Sequence, residues 1–268
     1  LETAVAQYTI DDLLYLMARL RDPESGCPWD IKQDYASIAP STLEEAYEVV
    51  DAIEKQDFVH LKEELGDLLF QVIFYSELGK EEQRFEFAGV VSDLVAKLIR
   101  RHPHVFPEGT LLSRVDNRHT LPGDVKARWE TIKQQERAEK GAQGLLADVP
   151  LNLPSLSRAA KLQKRAASVG FDWDDVYGPI AKVREELLEV EAELASGDQR
   201  ALEEELGDLL FAVVNIARYQ KIDPEQALRR ANQKFEQRFN YIETHVSQPL
   251  AETSITEMNQ LWEKAKQR

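Results

Sequence analysis

The chain has one cysteine, Cys27, among 268 residues. It therefore holds no internal disulfide, and the scarcity fits a reducing cytosol. No apolar run reaches the length of a membrane span. The first residues, LETAVAQYTIDDLL, are acidic and interrupted and carry no secretory pattern. A cytoplasmic location is expected. Basic residues are in deficit. Thirty-three Lys and Arg stand against 48 Asp and Glu, a formal charge of −15 with a pI near 4.9. That balance argues against nucleic acid as a partner, since phosphate backbones want a basic face. It leaves room for a nucleotide, because metal ions bridge acids to phosphates. Strand signals are weak, and helical periodicity dominates.

What the chain does have is an internal repeat. Residues 43–73 read LEEAYEVVDAIEKQDFVHLKEELGDLLFQVI, and residues 184–214 read REELLEVEAELASGDQRALEEELGDLLFAVV. The two align without a gap at a constant offset of 141. Glu44, Glu45, Glu48, Asp57, Glu63, Glu64 and Asp67 recur as Glu185, Glu186, Glu189, Asp198, Glu204, Glu205 and Asp208. A lone Glu-x-x-Glu reads as a solvated acidic face. The paired recurrence is poorly explained that way.

Each copy reads as a helical hairpin. Glu45 and Glu48, at i and i+3, share one face of the first helix, as Glu64 and Asp67 do on the second. The turn lies at Gln56-Asp57 in the first copy and at Ser196-Gly197-Asp198 in the second, with the Asp as N-cap. Glu48 and Glu64 are equidistant from residue 56, and so are Glu45 and Asp67; the second copy centres on Gly197. At about 1.5 Å rise per residue, Glu48 and Glu64 sit level, roughly 12 Å from the turn. Helices roughly 8–10 Å apart bring all four carboxylates together, and four such charges need a cation. An all-oxygen set suits Mg²⁺, with Mn²⁺ as a substitute. The apolar run after the acids (Leu68 to Phe74, Leu209 to Val214) predicts a buried helix. Gly66 and Gly207, between the acids, predict either a packing notch or close approach of a ligand or second helix.

Helices are expected near 10–20, 42–55, 58–80, 86–101 and 124–139, then near 156–168, 179–195, 199–221, 224–246 and 255–267. The stretch 141–155 (GAQGLLADVPLNLPS) reads as a linker, and 102–123 is a His/Pro/Gly-rich loop found in the first half only. The expected architecture is all-α, two duplicated helical-bundle domains at 1–140 and 156–268. All four tryptophans fall at repeat-equivalent positions: Trp29 with Trp173, and Trp129 with Trp262. Lys97 and Arg101 match Lys234 and Arg238, a pair able to grip phosphates. Trp262 and Lys266, matched by Trp129 and Lys133, offer an aromatic surface and one more cation.

These residues carry a resemblance. Glu-Glu-x-x-Glu followed by Glu-x-x-Asp is similar to the signature of the MazG family of all-α nucleoside triphosphate pyrophosphohydrolases. RLRDPESGCPWD, TLEEAYEV, ELGDLLFQVIF, RRHPHVF, VGFDW, EEELGDLLFA and NQKFEQRF extend it over nearly the whole chain. The resemblance implies four-helix-bundle domains that dimerise, Mg²⁺ dependence, and hydrolysis of an NTP to NMP and pyrophosphate. It implies metal ligands at Glu186, Glu189, Glu205 and Asp208, with Glu45, Glu48, Glu64 and Asp67 in the first copy. It implies nucleotide contacts at Lys182, Glu185, Glu204, Lys234, Arg238, Trp262 and Lys266. Glu185 and Glu204, just off the four-acid face, can bind a second ion or accept a proton from water. Ala201 stands where the family has a lysine, with Arg200 beside it. Ser41 stands where Lys182 does, so the second copy is expected to be the main catalytic one. A homodimer is expected from the surplus of apolar faces as well. Two other readings are weaker. A di-iron bundle needs Glu-x-x-His, which none of the five histidines completes. A non-catalytic helical adaptor stabilised by metal has no need of the basic and aromatic set.

Overall fold

The computed structural model describes residues 7–114, 129, 132, 136 and 144–267. It is all-helical, as expected. Nine α-helices and two 3₁₀ turns are present among the described residues, with no strand. The helix expected near 124–139 lies outside the described residues except for Trp129, Ile132 and Glu136. The chain divides into two compact units, Leu1–Gln135 and Glu136–Arg268.

The first unit holds α1 (Ile10–Leu20), α2 (Tyr35–Lys55), α3 (Phe58–Glu81) and α4 (Phe87–Arg101). The second holds α5 (Ser155–Ala167), α6 (Tyr177–Ser196), α7 (Gln199–Tyr219), α8 (Pro224–His245) and α9 (Ile255–Ala265). In each unit the repeat forms an antiparallel hairpin, α2 with α3 and α6 with α7. Helix α2 begins well ahead of the expected 42. Asp34 caps it, accepting from Ala36 N and Ser37 N in a reciprocal box with Ser37. Pro40 then sits inside the second turn, where its missing N–H costs one ladder bond rather than the helix.

Both hairpin turns end the first helix in the left-handed region. Gln56 has φ 57° and Gly197 φ 77°, and each is followed by an aspartate that caps the next helix. The core of the first unit is Met17, Ile38, Ile73, Phe74 and Leu78, from α1, α2 and α3. Arg21, at the end of α1, ties this unit together. It pairs with both oxygens of Glu81 at 2.7 Å, donates to the carbonyls of Asp30 and Gln33, and lies over the Phe74 ring. In the second unit α5 packs on α7 and α8. Arg165 of α5 pairs with Asp148 and donates to the Leu145 carbonyl.

One expectation fails. The apolar run after the acids is only half-buried. Ile73, Phe74, Ala212 and Val214 are buried, but Leu65, Leu69 and Val72 are exposed, as are their counterparts Leu206, Leu210 and Val213. Each unit thus covers one face of this helix and leaves the same other face bare. Gly66 and Gly207 lie open too, since a Cβ at either would meet nothing within 4 Å. No packing notch inside the unit explains them.

Gly197 offers a clean check on the turn. An added Cβ there would touch nothing, so Gly197→Ala reports backbone strain alone. We expect it to destabilise the second unit by about 1 kcal/mol, read by chemical denaturation. A neutral substitution would show that the turn does not depend on its left-handed cap.

Candidate metal centres and phosphate-facing residues

The turns set the acids opposite each other. In the first unit, carboxylate oxygens of Glu45, Glu48 and Glu64 lie within 4.8 Å of one another. In the second, those of Glu186, Glu205 and Asp208 do so. Each triad draws on both helices of its hairpin. The fourth acid of each set stands just outside. Asp67 acts on Glu45 and Glu64 through its charge, and Glu189 is hydrogen-bonded to Glu186. The odd acid is on the second helix in one copy and on the first in the other.

One carboxylate of each triad is buried: Glu64 at 6% exposure and Glu186 at 4%. A buried carboxylate needs a partner, and the two units supply it differently. In the second, Lys182 Nζ lies 2.6 Å from Glu186 and 2.9 Å from Glu185. Hydrogen bonding to Glu185, then to Glu186, raises the Lys182 pKa, so it stays charged. In the first, Ser41 occupies the corresponding place. There the partner comes from the other helix: His60 Nε2 lies 2.9 Å from Glu64 Oε1. The repeat reading missed His60 because its counterpart is Ala201. The signal that could have found it is its i, i+4 spacing to Glu64.

The acids raise one another. Glu45 titrates above the usual carboxylate range because of burial, then the charges of Asp67, Glu48 and Glu64. Glu64 is raised by burial, with His60 opposing, and by Glu48 and Asp67. Glu189 is raised by burial, then by its hydrogen bond to Glu186 and by the charges of Glu186 and Glu205. This donor set fits a divalent cation: oxygen atoms only, converging, partly desolvated and mutually repulsive.

The remaining sequence-derived residues fall in two groups. Glu185 and Glu204 are exposed at the edge of the second triad, Glu185 on Lys182 and Glu204 on Arg200 at 3.3 Å. Arg200 thus reaches the rim of the cluster from the position beside Ala201. On α8 and α9, Arg238 lies 5.5 Å from the centre of the Trp262 ring, and Phe235 packs on the same ring at 5.4 Å. Lys266 pairs with Glu263 at 2.5 Å on the α9 side, and Lys234 is exposed. Among the described residues, no ion pair joins Lys234, Arg238 or Lys266 to the carboxylate cluster.

Helix α7 continues past the acids into a cavity. Phe211, one turn beyond Asp208, lines a space of about 470 Å³ with Leu162, Gln163, Phe171, Trp173 and Arg218. That volume falls in the range of small-molecule sites. Gln163 Nε2 donates to the Phe211 carbonyl at 2.8 Å. Trp173 lies so close to Gly178, at the start of α6, that a Cβ there would fall 2.5 Å from the indole.

Comparison with known proteins decides the family. The model of the MazG nucleotide pyrophosphohydrolase domain matches residues 33–106 and 179–242. The chain belongs to this family. Both matched segments contain a complete acid set. The nucleoside triphosphate pyrophosphohydrolase of Escherichia coli (strain K12) is 50% identical over 262 residues, covering 96% of this chain and 97% of that protein. The nucleoside triphosphate pyrophosphohydrolase/pyrophosphatase MazG of Thermotoga maritima is 41% identical over 259 residues, covering 96% and 95%.

The raised carboxyls set a pH dependence. A group whose pKa is raised on folding binds more protons folded than unfolded. Metal-free stability therefore falls as pH rises from the unfolded value of 4.5 through the raised folded values. A cation bound in place of those protons restores it. We expect Mg²⁺ to raise Tm more at about pH 7.5 than at about pH 5. Equal shifts at both values in a thermal melt would contradict this electrostatic account.

Proposed function

We propose that the protein hydrolyses nucleoside triphosphates, ribo- and deoxyribo-, to the monophosphate and pyrophosphate, and that it serves to control or clean the nucleotide pool. The second unit does most of the work. The observation that carries this reading is Lys182, a charged ammonium against the buried ligand Glu186 and against Glu185, on the helix that opens the carboxylate triad. A charged ammonium beside a carboxylate cluster able to take a cation is what gripping a metal-bound phosphate chain requires. The family membership and the names of the full-length relatives support the same activity.

Glu186, Glu205 and Asp208, with Glu189 beside them, would hold the divalent cation, Mg²⁺ or its substitute Mn²⁺. Bound there, the ion supplies Lewis acidity that neutralises phosphate charge and acidifies water. The reaction joins a water oxygen to the α-phosphorus and breaks the bond to the β-phosphate bridging oxygen. The water's proton has to go to a base, and the exposed carboxylates Glu185 and Glu204 stand at the rim to take it. Lys182 meets the phosphate chain, and Lys234, Arg238 and Lys266 hold the leaving pyrophosphate. The Trp262 face, or the cavity at Phe211 and Trp173, gives the base an apolar surface. Domains at 1–140 and 156–268 joined by 141–155 fit the duplicated pattern. No described helix is long and apolar enough to cross a membrane.

Incubation with one NTP and Mg²⁺ tests the activity. We expect NMP and pyrophosphate, abolished by excess EDTA. Nucleoside diphosphate with orthophosphate would overturn the assignment. The inequality of the units has its own test. Glu186→Ala removes the buried ligand of the second triad and should lower kcat by about 100-fold or more. Glu64→Ala, its buried counterpart in the first, should leave most turnover. The opposite result would assign catalysis to the first unit.

The bare stripe on α3 and α7 supports a homodimer. Leu65, Leu69 and Val72, and again Leu206, Leu210 and Val213, are exposed in both copies, and C₂ pairing is the commonest way to cover such a face. Light scattering should return twice the chain mass of 30.6 kDa. A monomer at micromolar concentration would refute the pairing.

A further inference from the structure

The first cluster has a ring nitrogen beside its acids that the second lacks. We propose that the first is a mixed nitrogen–oxygen metal site, in which His60 Nε2 joins Glu64, Glu45 and Glu48 around one cation. This gives it a preference for Mn²⁺, Co²⁺ or Zn²⁺ over Mg²⁺ that the second cluster lacks. The inference rests on the reading of both clusters as cation sites.

Spacing carries the argument. His60 Nε2 and Glu64 Oε1 are 2.9 Å apart. Two ligands about 2.1 Å from a metal at adjacent octahedral positions are separated by about 3 Å. The pair is therefore already at the distance a shared ion imposes. Both residues lie on α3 at i, i+4, one turn apart on one face, so the helix itself holds that spacing.

The far side of the ring is also arranged. His60 Nδ1 lies 3.5 Å from Glu63 Oε2. From there a small rotation lets Nδ1–H donate to Glu63, which would leave the lone pair on Nε2 for an ion and strengthen it as a ligand. Glu63 and Glu64 flank the imidazole, one on each nitrogen.

The second unit has no such nitrogen. Ala201 replaces His60, and the group beside its buried acid is the Lys182 ammonium, 2.6 Å from Glu186. A charged ammonium has no lone pair to give. Its ligand set is carboxylate only, which suits Mg²⁺, whereas imidazole favours the transition ions. The same fold thus carries two cation sites of different softness, one per unit.

The test uses full-length protein carrying Glu205→Gln, which disables the second triad, titrated calorimetrically with Co²⁺ and with Mg²⁺. The visible Co²⁺ absorption is recorded alongside. We expect Co²⁺ to bind more tightly than Mg²⁺. Adding His60→Ala or His60→Gln should weaken Co²⁺ by about tenfold or more and alter its spectrum, with Mg²⁺ affinity changed by no more than about twofold. The His60 side chain is half exposed, and circular dichroism checks that both variants keep their helices. Unchanged Co²⁺ affinity and spectrum in both His60 variants overturn the mixed site and leave the carboxylate reading standing. Equal losses for both ions do the same, since they mark His60 as an orienting partner of Glu64. Failure of the Glu205→Gln protein to bind either ion overturns the cation reading of the first cluster and this inference with it.

Discussion

Mutual repulsion of carboxylates in a partly desolvated seam is the constraint on which the structure turns. Each hairpin brings three acids within 4.8 Å and buries one of them. Alone, that arrangement opposes folding, since burial and like charge both disfavour ionisation. The protein offsets it locally by one basic side chain per cluster, the Lys182 ammonium or the His60 imidazole. These partners are provisional neutralisers. Each meets only one acid of its triad, and a divalent ion among all three would answer them together. The strain is concentrated where chemistry needs a vacancy of one sign, which is where proteins commonly break the rules they otherwise keep.

Seen this way, the duplication is a duplication of scaffold with divergence in the counter-charge. The hairpin, the caps at Asp57 and Asp198, and a carboxylate triad recur, though not from the same three positions. What differs is the residue that answers the buried acid, and the helix it comes from. A lysine on the first helix can release its carboxylate and meet a phosphate. A histidine one turn before the buried Glu on the second helix has a ring nitrogen to offer instead. The two hairpins thus surround their acids differently through two positions, 41/182 and 60/201.

Much of this was legible in the sequence. The 3.6-residue period and the gapless repeat yielded the hairpins, and equidistance of Glu48 and Glu64 from residue 56 located the facing acids. Four features were hidden, each for a physical reason. The first two turns of α2 were missed; they contain Pro40, whose absent N–H weakens the helical signal there although it costs the helix one ladder bond only. His60 was hidden because reading what recurs discards what does not. The bare stripe on α3 and α7 reads as buried in the sequence, because a run of apolar residues does not say which of its faces the fold covers. The choice of which acid stands outside each triad depends on side-chain conformation, to which spacing is blind.

The tight turns at Gln56 and Gly197 also bear on how the chain finds its pairing. Two hairpins that align without a gap offer a wrong solution, in which α2 docks against α7 and α6 against α3, with the acids of both still facing. Joining α2 to α3 closes a loop of a few residues; joining α2 to α7 closes one of well over a hundred, at a higher entropic cost. The left-handed caps make the short closure geometrically ready, so local pairing forms before the distant copy is within reach. Tandem sequences are prone to such exchange errors, and here a single αL residue per hairpin acts as the kinetic guard of connectivity.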